Sequence, residues 1–86
     1  MMISGYEIGT QVKWNENGGI TTGRIEKVFH RPRLIDLNGI RVRVSVTNDS
    51  PTYLIQRDTP APDAPNDVHV VLPHQRVFLE DANAHM

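Results

Sequence analysis

The chain has 86 residues, a hydrophobic share of 38%, no Cys and a formal charge of −1. That length suits one small domain with a thin core, and the lack of thiols excludes disulfides and thiolate metal sites. No apolar run exceeds three residues, which excludes a transmembrane helix and a signal-peptide core and makes a cytoplasmic protein the expectation, while near-neutrality argues against a whole-molecule electrostatic grip on nucleic acid.

Val, Ile and Thr number 22 against nine for Ala and Leu together, a balance that favours strands, because β-branched side chains lose rotamer freedom in helices and fit a pleated surface. No window keeps a helical apolar period for three turns without a Gly or Pro, so no helix is expected. The first strand is read where Val12 and Trp14 alternate with Gln11, Lys13 and Asn15. It stops at Glu16-Asn17-Gly18-Gly19, where Asn and Gly tolerate the positive φ of a tight hairpin. A second strand runs from Ile20 to Phe29, with Gly23 marking a bend or bulge. His30 to Asn38 contains Arg31-Pro32-Arg33 and is read as a loop, since Pro cannot donate to a central ladder.

Ile40, Val42, Val44 and Val46 then alternate with Arg41, Arg43, Ser45 and Thr47, which predicts a strand with one wet face. After a turn at Asn48-Asp49-Ser50-Pro51 come strands at Tyr53 to Arg57, Val68 to Leu72 and Arg76 to Leu79. Asp58 to Asp67 holds three Pro and three Asp in ten residues and is expected to bury nothing, as a mobile surface loop dispensable for folding. Residues 82 to 86 read as a frayed tail. Five or six short strands with a long bent second one predict an all-β fold, a small antiparallel barrel formed by a single domain over residues 1–86 with its core at about 6–80. Val12, Ile25, Val42, Val44, Leu54 and Ile55 are the predicted core. Leu54 and Ile55 are neighbours, so both can be inside only if their strand is covered on two sides or bulged.

Several motifs stand together: Ile8-Gly9-Thr10-Gln11-Val12-Lys13-Trp14-Asn15, then Gly18-Gly19 with Thr21-Thr22-Gly23-Arg24-Ile25, then Pro51-Thr52-Tyr53-Leu54-Ile55 with Asp58, and a late His74 ahead of Leu79. As a set they resemble the hypervirulence-associated Tudor-like domain family. The resemblance spans about residues 6 to 80 and implies an SH3-like or Tudor-like barrel and a binding module without an active site. The chain departs from the family pattern in its long Pro/Asp segment, in Gln75-Arg76 after His74, and in its near-neutral charge.

Candidate binding residues follow from chemistry. Tudor-like barrels that hold methylated Lys or Arg present aromatic rings to the cation, which makes Trp14 and Tyr53 candidates. The alternation of Trp14 with Val12 equally suits a core residue. Charge is segregated: residues 24 to 43 carry six basic and two acidic side chains, whereas residues 44 to 86 are net acidic. Arg24, Arg41 and Arg43 are therefore candidates for an anionic partner such as single-stranded nucleic acid, or for a solvated face with local ion pairs.

No metal site is expected from Asp67, His69 and His74, which lack a fourth ligand, and no cofactor is expected. Ser45 and Ser50 have no flanking nucleophile-elbow glycines, and no Gly-rich segment links a strand to a helix, so no enzyme activity is expected. The expected partner is a protein or peptide met at an open sheet edge or the barrel mouth, with a homodimer through an edge strand and nucleic acid as alternatives.

Overall fold

A computed structural model of the chain describes residues 5–47, 49–60 and 64–80. Its strands are β1 (Gln11–Glu16), β2 (Gly19–Phe29), β3 (Arg33–Leu37), β4 (Ile40–Val44), β5 (Thr52–Arg57), β6 (His69–Pro73) and β7 (Phe78–Leu79), with a 3-10 turn at His74–Arg76. Five strands form one antiparallel sheet in the order β6-β5-β2-β1-β7, and β3 and β4 form a separate hairpin. The 3-10 turn joins β6 to β7 and so links the two edges of the five-stranded sheet, curling it into a small barrel. Among the described residues no helix is long and apolar enough to cross a membrane.

Both hairpins turn on an Asn-Gly pair. Asn17 and Gly18 have φ of 52° and 83°, and Asn38 and Gly39 have 54° and 83°. Positive φ at both central residues gives the turn whose twist matches that of its strands, and Asn and Gly adopt it at least cost. The second pair corrects the reading of residues 30 to 38 as a loop. Pro32 lies just before β3, where no ladder donor is needed, and Arg33 to Leu37 pair in register with Ile40 to Val44. The last strand is also shorter than expected, because His74–Arg76 winds into the 3-10 turn.

Directly opposed residues of an antiparallel ladder point to the same side, so the registers assign the faces of β5. Tyr53 lies opposite Val28 and Leu72, and Ile55 opposite Ile25 and Val70. These residues join Val12, Trp14 and Val77 in the barrel interior. Leu54, opposite Lys27 and Val71, faces outward, where Phe29 and Val44 bury it with Ile35 and Leu37 of the hairpin. Strand β5 is therefore covered on two sides, which is how Leu54 and Ile55 can both be core. Of the other predicted core residues, Val12, Ile25 and Val44 are fully buried, and Val42 is half-buried at the wall of a cleft.

The ladder irregularity falls between Ile25 and Lys27, at Glu26, and not at Gly23. One extra residue there resets the alternation, so that Ile25 and Val28 both face inward. Gly23 pairs regularly, and its role is space. A Cβ on it would come within 2.8 Å of Ile55 Cγ2 and 3.1 Å of Trp14 Cη2, and closer still to the Gln56 carbonyl.

Of the segment expected to bury nothing, residues 61–63 lie outside the described residues, as does the 82–86 tail. Its flanks are held. The Asp58 carboxylate accepts hydrogen bonds from Gln11 and Thr22, both at 2.6 Å, and Asn38 Nδ2 donates to the Asn66 carbonyl at 3.3 Å.

Gly23→Ala is expected to lower the unfolding free energy by about 2 kcal/mol or more, as overpacking does, in urea titrations followed by far-UV circular dichroism. A loss under about 0.5 kcal/mol, the range of neutral surface changes, would show that the wall around it yields.

Candidate functional site

The candidate aromatics are inside. Trp14 is 1% exposed and Tyr53 0%, so neither ring offers a face to a cation. Trp14 Nε1 donates to Glu16 Oε1 at 3.1 Å, which satisfies the one polar atom of the buried indole. The Tyr53 hydroxyl accepts the Tyr6 backbone N–H at 2.8 Å and lies 2.7 Å from His74 Nδ1. The direction of that second bond follows the His74 tautomer, since the hydroxyl can donate its proton to Nδ1 or accept one from it. Tyr6 stacks on Tyr53 at 5.9 Å between centroids and leans on His74 at 4.8 Å. Burial pushes the Tyr53 phenol above its ordinary pKa of 10.0. Phe29 is consumed by the outer core and has Arg33 over its ring at 5.8 Å.

The three arginines are exposed but do not form one strip. Arg24 sits on β2 between Gln11 of β1 and Gln56 of β5. Arg41 and Arg43 share the outward face of the hairpin, opposite Asp36 and Leu34 respectively. Among the described residues the ion pairs lie elsewhere: Arg57 with Glu16, and His69 Nε2 with Glu26 Oε1 at 3.0 Å. A carboxylate only accepts, so His69 carries a proton on Nε2, and its Nδ1 is buried without a partner. Among the described residues no group of three or more His, Cys, Asp or Glu is placed to hold a metal ion.

Three clefts bear on binding. The largest, about 500 Å³, lies between the β3–β4 hairpin and residues 64–67, and Leu37, Ile40, Val42, Ala64 and Pro65 make its walls apolar. Ile40 is 66% exposed there, and Asn38, Asn66, Asp67 and His69 complete the lining. A second, of about 330 Å³, is bounded by Arg43, Ser45 and Val46 on one side and Val71 and Pro73 on the other. A third, of about 280 Å³, opens over the Glu16–Arg57 pair, beside Thr21, Thr22 and Thr59. The Arg57 side chain is 8% exposed and that of Glu16 25%. The Arg57 hydrogen bond holds the Glu16 carboxyl below its ordinary pKa of 4.5, with burial opposing and the Trp14 bond assisting.

The profile of the TUDOR domain of hypervirulence associated proteins matches residues 9–61, more than half of the chain and the span that contains the Trp14 and Tyr53 motifs. This chain belongs to that family. No curated protein and no solved structure matches the chain. As a Tudor-like domain it is a small binding module, and its barrel is the five-stranded sheet, with the β3–β4 hairpin inserted between neighbouring strands β2 and β5.

Sequence reasoning missed the largest cleft. Its walls come from a hairpin read in half as a loop and from a Pro-rich segment expected to bury nothing. The Asn38-Gly39 pair followed by alternating Val42 and Val44 was the available signal.

Glu16→Gln removes the counter-charge of a buried guanidinium and is expected to cost about 2 kcal/mol at neutral pH. Because the folded pKa of Glu16 is depressed, its contribution is fully present above the ordinary value of 4.5 and is lost as pH falls through the lower folded value. Urea titrations at neutral and acidic pH should therefore show a steeper acid loss for the wild type than for the variant. Parallel curves would mean that the pair contributes nothing net.

Proposed function

We propose that this chain is a non-catalytic interaction module, one domain over about residues 6–80, that takes up a protein or peptide partner beside the inserted hairpin. The observation that carries this reading is the apolar cleft with Ile40 exposed in it. An aliphatic concavity with a few polar groups at its margin suits a side chain of a protein partner. The aromatic residues favour it too, since Trp14 and Tyr53 serve the core and leave no cage for a methylated cation. Three of the described side chains that could do chemistry are engaged within the fold: His74 with Tyr53, His69 with Glu26, and Ser50 with Gln75.

A second reading, nucleic-acid binding through Arg24, Arg41 and Arg43, draws on their exposure. It is weakened by their division between two sheets and by the lack of a ring beside Arg41 and Arg43, whose cross-strand neighbours are Asp36 and Leu34.

Two measurements separate the readings. Titration with fluorescent single-stranded oligonucleotides at about 50 and 200 mM salt is expected to show no binding tighter than the roughly micromolar range of nonspecific contacts. Micromolar or tighter binding that Arg41→Glu with Arg43→Glu abolishes would move the function to nucleic acid. Cross-linking in lysate, followed by purification of the captured protein, is expected to yield a partner that Ile40→Asp no longer captures.

A further inference from the structure

The chain turns from β2 into β3 at His30-Arg31-Pro32, and that corner encloses a concavity of about 230 Å³ lined by Val28, Phe29, His30, Arg31 and Arg33. Three of these five residues are basic and none is acidic. His30, Arg31 and Arg33 are all exposed, and among the described residues none of them makes an ion pair. Whereas Arg24, Arg41 and Arg43 are divided between two sheets, these three fall within four consecutive positions around one hollow.

The corner is also stiff. Phe29 is held in the outer core, so its ring is a fixed surface, and the Arg33 guanidinium lies over it at 5.8 Å from the centroid. Stacking uses the face of a guanidinium and leaves the N–H donors along its edge for an acceptor. Pro32 fixes its own φ and restricts Arg31 before it, which limits the backbone that carries the two arginines. His30 offers a ring N–H whether neutral or charged.

We propose that the β2–β3 corner binds a phosphate monoester, carried as a phosphorylated side chain by a protein partner. The choice of a protein as carrier rests on the reading of the chain as a protein-interaction module, and the choice of a monoester rests on the corner itself. A monoester brings three free acceptor oxygens and about 1.5 to 2 negative charges to one point at neutral pH, which matches two guanidinium groups and an imidazole around one hollow. A phosphodiester spreads its charge along a chain and is met by a groove of cations with stacking rings, which the divided Arg24, Arg41 and Arg43 do not form. A carboxylate brings only two oxygens and a single charge. Val28 and Phe29 supply the apolar wall for the carbon stem of the phosphorylated residue.

The test is titration of the full chain with a short phosphoserine peptide, its unphosphorylated and glutamate counterparts, inorganic phosphate and a single-stranded oligonucleotide, read by backbone amide and arginine Nε–H shifts. Salt is held at about 0.15 M, where attraction between exposed charges is screened beyond about 8 Å. The phosphoserine peptide is expected to shift His30, Arg31 and Arg33, with the unphosphorylated peptide silent and the glutamate peptide weaker by about tenfold or more. Arg31→Ala and Arg33→Ala should each weaken binding about tenfold, the loss of one charge-assisted hydrogen bond. Arg33→Lys should weaken it nearly as much, since it keeps the charge and loses the planar fork. Arg31 is exposed and outside the core, so its variant keeps the test sound even where Arg33 variants unsettle Phe29. Arg41→Ala with Arg43→Ala should leave binding unchanged. Equal binding of the glutamate peptide, or shifts centred on Arg24, Arg41 and Arg43, would overturn the site. Inorganic phosphate that binds as tightly as the peptide would reduce the occupant to a free ion, and an oligonucleotide that shifts the corner more tightly would assign it to nucleic acid; either would overturn the phosphorylated side chain. Silence of the corner alongside an Ile40-dependent captured protein would overturn the proposal and leave the interaction module standing, whereas absence of both would overturn the two together.

Discussion

Strand β5 needs cover on both of its faces, and much of the architecture answers to that need. Tyr53, Leu54 and Ile55 are consecutive and all buried, although neighbouring strand residues point in opposite directions. The barrel interior accounts for Tyr53 and Ile55, and without the inserted hairpin Leu54, Val71 and Phe29 would form an apolar patch facing water. Burying a side chain of this size contributes about 1.5–3 kcal/mol, a large share of a small domain's margin. The hairpin is thus a second, thinner core built onto a barrel. Its placement also creates the clefts at its margins, since a two-stranded layer cannot cover the whole outer face.

Trp14 and Tyr53 are spent on the interior of the barrel. Trp14 fills the barrel and ties its indole to Glu16, which in turn neutralises the buried Arg57. Tyr53 anchors Tyr6 and His74 through one hydroxyl. Each large ring carries a polar atom that must find a partner once buried, and each partner found holds another segment in place. With the rings committed to closing the barrel, neither Trp14 nor Tyr53 presents a face at the surface.

Most of the barrel was legible because its signals are local. Alternation placed β1 and β4, the Asn-Gly turn after β1 placed the start of β2, the run at Tyr53 placed β5, and the β-branched composition fixed the class. The β3 strand was hidden by Pro32, which the chain accommodates one residue ahead of the ladder. The bulge was assigned to Gly23 because Gly is its usual marker, whereas the inward Ile25 and Val28, three apart, carried the better evidence for Glu26. Arg41 and Arg43 are exposed, as the alternation along β4 predicts, yet the division of the three arginines between two sheets depends on pairing that no local pattern expresses. The same holds for the cleft, where Leu37 and Pro65 meet across more than twenty-five intervening residues.

Strand β1 is paired on one side by β2, its immediate successor, and on the other by β7, with Val12 opposite Leu79 and Lys13 opposite Phe78. Such a connection is made late in folding, because the entropy of closing so long a loop must be overcome before two residue pairs reward it. During synthesis the outer edge of β1 therefore stays open until the segment bearing Phe78 and Leu79 has left the ribosome. The β1–β2 hairpin can form earlier on its Asn-Gly turn, but the half-made sheet exposes Val12 and Trp14 in the meantime. A topology that closes a small barrel with the first and last of its described strands concentrates its aggregation risk in that interval.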